Sequence, residues 1–101
     1  MTDPATRVVF SLASLWEVAI KAGLDRPDFR VDAAALHRGL RDSGNEELPI
    51  DAAHIAHLRN LPMIHRDPFD RMLIAQAQVE GLILVTHDAQ IARYPGDIRR
   101  V

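Results

Sequence analysis

Apolar positions along the chain fall into short continuous runs that alternate with stretches of helical spacing. Val8, Val9, Phe10, Ser11 and Leu12 form a short apolar run that predicts a buried strand. Ser14 and Glu17 have the spacing of a capping box, in which each side chain satisfies an orphan amide of a new helix. Leu15, Val18, Ala19 and Ala22 continue that helix, and Gly23 stops it. Trp16, with Ile20 one turn on, reads as core. Asp32 predicts the cap of a second helix to Arg41, with Leu36 and Leu40 inward and Ser43 and Gly44 at its end. Leu48, Pro49 and Ile50 predict a short strand, and the proline places it at an edge.

Asp51 caps a third helix with Ile55 and Leu58 inward, and Pro62 breaks it. Asp67 and Pro68 open the longest helix, with Asp at the N-cap and Pro at the first helical position. Phe69, Met72, Leu73, Gln76 and Ala77 continue it to Gly81. The run from Leu82 to Thr86 is the clearest strand, and its continuity implies burial on both faces. A short helix from Ala89 to Arg93 and a strand from Ile98 to Val101 complete the pattern. The polar residues 1–6, with Pro4, read as a loose end. Strands alternating with helices predict an α/β fold, a parallel sheet covered by helices. With no repeat, low-complexity tract or linker, residues 1–101 read as one domain.

Composition narrows the function classes only a little. The chain is 48% hydrophobic and 26% charged, with a formal net charge of −2. This lacks the basic excess common in nucleic-acid binders, although a local patch can do the same electrostatic work. The absence of cysteine excludes disulfides, thiolate zinc sites and cysteine nucleophiles. No signal-peptide pattern opens the chain, and no run approaches the roughly 20 apolar residues of a membrane span. A cytoplasmic protein is expected.

Three acids are expected to converge. Ligands of an open parallel sheet bind beyond the carboxyl ends of its strands. Glu17 lies in the first helical turn after the first predicted strand, and Asp88 lies two residues past Thr86. Asp70 lies in the first turn of the helix that leads into the same strand as Asp88, so it belongs to the same edge. Carboxylates gathered in this way repel unless a cation or proton intervenes, and hard divalent cations prefer oxygen ligands. With no cysteine nucleophile and no glycine-rich phosphate loop, metal-assisted hydrolysis fits best. Each acid also has a purely local reading: Glu17 as half of a capping box, Asp70 as an acid favoured in a helix's first turn, and Asp88 as the cap of the short helix after it.

The same residues carry a family resemblance. The segment from Ser11 to Lys21 (Ser-Leu-Ala-Ser-Leu-Trp-Glu-Val-Ala-Ile-Lys) resembles the part of VapC-type PIN domains that holds their second acid. The segment from His65 to Ala77 (His-Arg-Asp-Pro-Phe-Asp-Arg-Met-Leu-Ile-Ala-Gln-Ala) resembles the part with the third, and Leu84 to Asp88 (Leu-Val-Thr-His-Asp) the strand end with the fourth. The three occur in the family's order and span nearly the whole chain. The resemblance implies a three-layer α/β/α fold with a short parallel sheet. It makes Glu17, Asp70 and Asp88 catalytic residues and ligands of Mg2+ or Mn2+, with Thr86 supporting the last acid. It implies endonucleolytic cleavage of RNA, a toxin held by a cognate antitoxin, and a homodimer. Asp67 is assigned to the helix cap rather than to the site.

The chain departs from the family pattern at its beginning, where the family has an apolar strand ending in Asp. Asp3 does not replace that acid, because it precedes the first apolar run. A start site placed too late, a strand from another chain, and a degenerate member with a rearranged sheet are the three explanations. The chain alone is expected to bind metal poorly and cleave slowly. The competing function is a catalytically inactive PIN remnant that binds a partner protein, and a receiver-like binding module is a weaker third reading.

Among the remaining polar residues, His54 and His57 read as surface histidines rather than zinc ligands. His65 and Arg66, just before the Asp70 helix, are candidates for RNA phosphates, with a solvated loop as the alternative. Lys21 and Arg71 are further RNA-binding candidates, against which stands a local ion pair with the acid on each one's own helix.

Overall fold

The computed structural model describes residues 8–23, 32–86 and 88–100. The loose end at residues 1–6, with Asp3, lies outside them. Helices and short parallel strands alternate along the chain, which is the α/β class. Contacts divide the chain into two units, Met1–Pro49 and Ile50–Val101.

In the first unit, β1 (Val9–Ser11) pairs in parallel with β2 (Glu46–Leu48), with Val9 opposite Glu46 and Ser11 opposite Leu48. β2 thus ends before Pro49, two residues earlier than expected from the sequence, since proline brings no N–H to a ladder. Helix α1 (Leu12–Gly23) also starts early. The Ser11 hydroxyl accepts the Ala13 N–H at 3.0 Å, so the chain turns into helix at Leu12, two residues before Ser14. Ser14 is therefore inside α1, and the expected Ser14–Glu17 box is not formed. Trp16 is 57% exposed rather than core. Helix α2 (Ala33–Asp42) begins as expected, with the Asp32 carboxylate accepting the Ala34 N–H, and Leu36 and Leu40 are half-buried. His37 of α2 is hydrogen-bonded to Glu47 of β2.

In the second unit, helix α3 (Ala52–His57) and a 3-10 turn at Leu58–Asn60 precede α4 (Pro68–Glu80). α4 ends at Gly81, whose φ of 67° is left-handed and favours glycine. Strand β3 (Leu84–Thr86) pairs in parallel with β4 (Ile98–Arg100). A 3-10 turn at Ile91–Arg93 stands where the short helix was expected. The core of the unit is Leu61, Ile74, Ala75, Ile91 and Tyr94, with Leu58, Ile64, Leu84 and Ile98 packed against it. The run before and within β3 is not buried on both faces: Ile83 is 50% exposed and Val85 is 59% exposed. These two alternate with the partly buried Leu82, Leu84 and Thr86, so one face of the run is covered and the other is exposed.

The buried face of α3 differs from the expected one. Ile55 is 56% exposed, whereas His54 is fully buried. Burial of that ring is tolerated because both nitrogens are partnered. Nδ1 accepts the Asp51 N–H at 3.1 Å, and Nε2 lies 2.8 Å from Glu80 at the end of α4. No described helix is long and apolar enough to cross a membrane.

The N-cap of α4 is fixed by a single side chain. The Asp67 carboxylate accepts the Phe69 and Asp70 N–H groups at 2.8 and 3.3 Å. Asp67→Ala should lower stability by about 1 kcal/mol, and Asp67→Asn, which preserves an acceptor, by much less. Urea unfolding midpoints of the two variants check this.

Candidate metal centre

Asp70 and Asp88 are positioned by different local devices. Asp70 stands in the first turn of α4, one turn in from the Asp67 cap that fixes that turn. Asp88 follows β3, and its N–H donates to the Thr86 hydroxyl at 3.0 Å. Oδ1 of Asp88 accepts the Gln90 and Ile91 N–H groups at 2.7 and 3.4 Å, so this oxygen caps the following turn. The local role expected for Asp88 is therefore real, yet it occupies only one oxygen. The other, Oδ2, lies 3.3 Å from His65 Nε2.

His65 joins the two acids. Its Nε2 is also 3.3 Å from Asp70 Oδ2. A ring nitrogen of His65 and a carboxylate oxygen each of Asp70 and Asp88 all lie within 4.8 Å of one another. The sequence pointed to His65 as a residue for RNA phosphates; the structure places its ring between the carboxylates. The segment that carries it is held by Tyr94, a core residue whose hydroxyl accepts the Ile64 N–H at 3.1 Å and the His65 N–H at 2.7 Å. Tyr94 has no counterpart among the sequence candidates. Its single signal was that a buried tyrosine hydroxyl must find a polar partner.

The Asp88 carboxyl is held below its ordinary value of 3.8, chiefly by the Gln90 N–H, with Ile91 and His65 adding and desolvation opposing. Because the folded value is depressed, the stability linked to this group is complete above the ordinary value. It is lost as pH falls through the depressed one. An NMR titration of the Asp88 side-chain carboxyl should therefore find its midpoint below 3.8.

The donor set suits a hard divalent cation. Two carboxylate oxygens face one small space, and one of them belongs to a group held ionised at neutral pH.

Glu17 belongs to the first unit, where it pairs with Lys21 at 3.2 Å across one turn of α1. That contact is the local ion pair weighed for Lys21. Arg71 donates to the Pro62 and Leu58 carbonyls at 3.0 and 3.2 Å, and to the Tyr94 hydroxyl at 3.3 Å. These bonds tie α4 to the loop before it and leave less of the guanidinium for phosphate. Arg66 is exposed at an open groove of about 480 Å3 lined also by Leu58, Met63, Pro68 and Arg71. A second cluster, Asp51, His54 and Glu80, has metal-like spacing. There the expectation of surface histidines fails for His54, whose ring hydrogen bonds instead cap α3 and tie it to α4.

The sequence model of one family, the PIN domain, matches residues 2–97. A comparison with curated proteins finds no match.

Proposed function

Since the chain belongs to the PIN-domain family, a three-layer α/β/α fold whose members are generally Mg2+-dependent nucleases, we propose that it is an endoribonuclease of the VapC toxin kind. The observation that carries this reading is the meeting of the Asp70 and Asp88 carboxylates at His65. These two acids are the proposed ligands of Mg2+ or Mn2+. When bound, such a cation supplies charge neutralisation and Lewis-acid activation for hydrolysis of a phosphodiester.

The residues of the chain prepare that chemistry in identifiable ways. The Gln90 and Ile91 N–H groups hold Asp88 ionised and fix the direction of its outward oxygen. Thr86 fixes the backbone at Asp88, and Asp67 fixes the turn that carries Asp70. Arg66, exposed next to His65 in sequence, is the proposed contact for an RNA phosphate. The resemblance adds Glu17 as a third acid, with Lys21 as its local partner. RNA as substrate, a cognate antitoxin, a homodimer and a cytoplasmic setting belong to the same reading.

The test is Mn2+-dependent cleavage of a mixed RNA pool by the purified chain, beside its Asp70→Asn, Asp88→Asn and Glu17→Gln variants. Metal-dependent cleavage lost in the variants supports the proposal. No cleavage by a folded protein moves the reading to an inactive PIN remnant that binds a partner.

A further inference from the structure

We propose that His65 is a displaceable placeholder rather than a ligand: its Nε2–H holds Asp70 and Asp88 together, and a divalent cation takes over that role on binding. The inference rests on the metal-site reading above and assigns a role within it.

The argument begins at the other side of the ring. Nδ1 of His65 lies 3.0 Å from the Asp67 backbone nitrogen, whose N–H points to it. A backbone N–H can only donate, so Nδ1 must present its lone pair. In the neutral ring the proton is then on Nε2. That atom is hydrogen-bonded to Asp88 Oδ2 at 3.3 Å and stands 3.3 Å from Asp70 Oδ2, so it is close to both carboxylates.

A protonated Nε2 has no lone pair for a metal. Ligation through Nε2 would require the proton to move to Nδ1, where it would face the Asp67 N–H directly. The ring has little freedom to avoid this conflict. Its side chain is 15% exposed, and the Tyr94 hydroxyl holds the His65 backbone from within the core. His65 thus resembles a metal ligand by distance but is a donor by its hydrogen bonds. The two carboxylates need a positive partner in the absence of metal. The Nε2–H supplies a partial one, and a divalent cation supplies a stronger one on the same oxygens.

Two measurements test this. The first is equilibrium binding of Mn2+ to wild type and to His65→Asn. The asparagine oxygen can still accept the Asp67 N–H, but its side chain is too short to bridge the acids. Removing the competing donor should tighten Mn2+ binding about three- to tenfold. Weaker or unchanged binding overturns the proposal. The second needs no substitution and covers the case in which the variant does not fold: long-range 1H–15N NMR of the wild-type imidazole with and without Mg2+. The Nε2–H tautomer should be present without Mg2+ and retained when Mg2+ is bound. A proton that leaves Nε2 on Mg2+ binding makes His65 a ligand and overturns the placeholder role alone. A folded wild type that binds neither Mn2+ nor Mg2+ overturns the metal reading together with it.

Discussion

Asp70→Asn and Asp88→Asn should each reduce Mn2+-dependent RNA cleavage by at least about a hundredfold, beyond what changes outside the first coordination shell usually cost. Asparagine keeps the shape of each side chain and one carbonyl oxygen, so the substitution removes charge with little change in packing. At position 88 the retained oxygen can still accept the Gln90 and Ile91 N–H groups, because asparagine caps as well as aspartate does. At position 70 the loss of an acid from the first turn of α4 removes about 0.3–1 kcal/mol of helix-dipole interaction. Both variants should therefore melt close to wild type while losing activity. Cleavage near the wild-type rate in either variant would show that the paired carboxylates are structural, and the nuclease assignment of this site would fall.

Ile74→Ala should be the most damaging single change to the fold. Ile74 is fully buried, within a cluster that includes Leu61, Ala75, Ile91 and Tyr94. Truncating a buried isoleucine to alanine costs about 2–5 kcal/mol, from lost transfer energy and the cavity left behind. In a chain of this size each kcal/mol moves the melting temperature by about 4–8 °C, so a fall of more than about 8 °C is expected. Ile55→Ala is the matched control. Ile55 is 56% exposed, and its truncation should stay within about 0.5 kcal/mol. Thermal melts of the pair separate the two cases. Similar melting temperatures would mean that the core lies elsewhere than the Ile74 cluster.

What could be read from the sequence was local. The Asp67 cap, Pro68, the helix to Glu80 and the Gly81 stop follow from bonds that span two to four residues. The same holds for Asp32 at α2, for Asp51 at α3, and for β3 and β4 within a residue or two at their ends. The family resemblance rested on such segments too, and Asp70 and Asp88 were placed at one strand edge because helix and strand directions in an α/β unit are constrained. Ser14 shows where even local reading divides. Two serines three residues apart both suit a cap, and the Ala13 N–H bond to Ser11 decided between them.

Tertiary structure decided everything that depends on partners distant in sequence. His65 meets Asp88 across 23 residues, His54 meets Glu80 across 26, and Tyr94 reaches the His65 N–H across 29. No periodicity encodes such pairs, since a histidine on a helix has the same local spacing whether it is solvated or buried with both nitrogens satisfied. Exposure of Trp16, Ile55 and Val85 belongs to the same class. Apolar character states what a residue gains by burial, but the elements that pack against it determine whether that burial occurs. The sequence thus determined the helices, strands and acids of this protein, while the fold chose the histidine that stands between the acids.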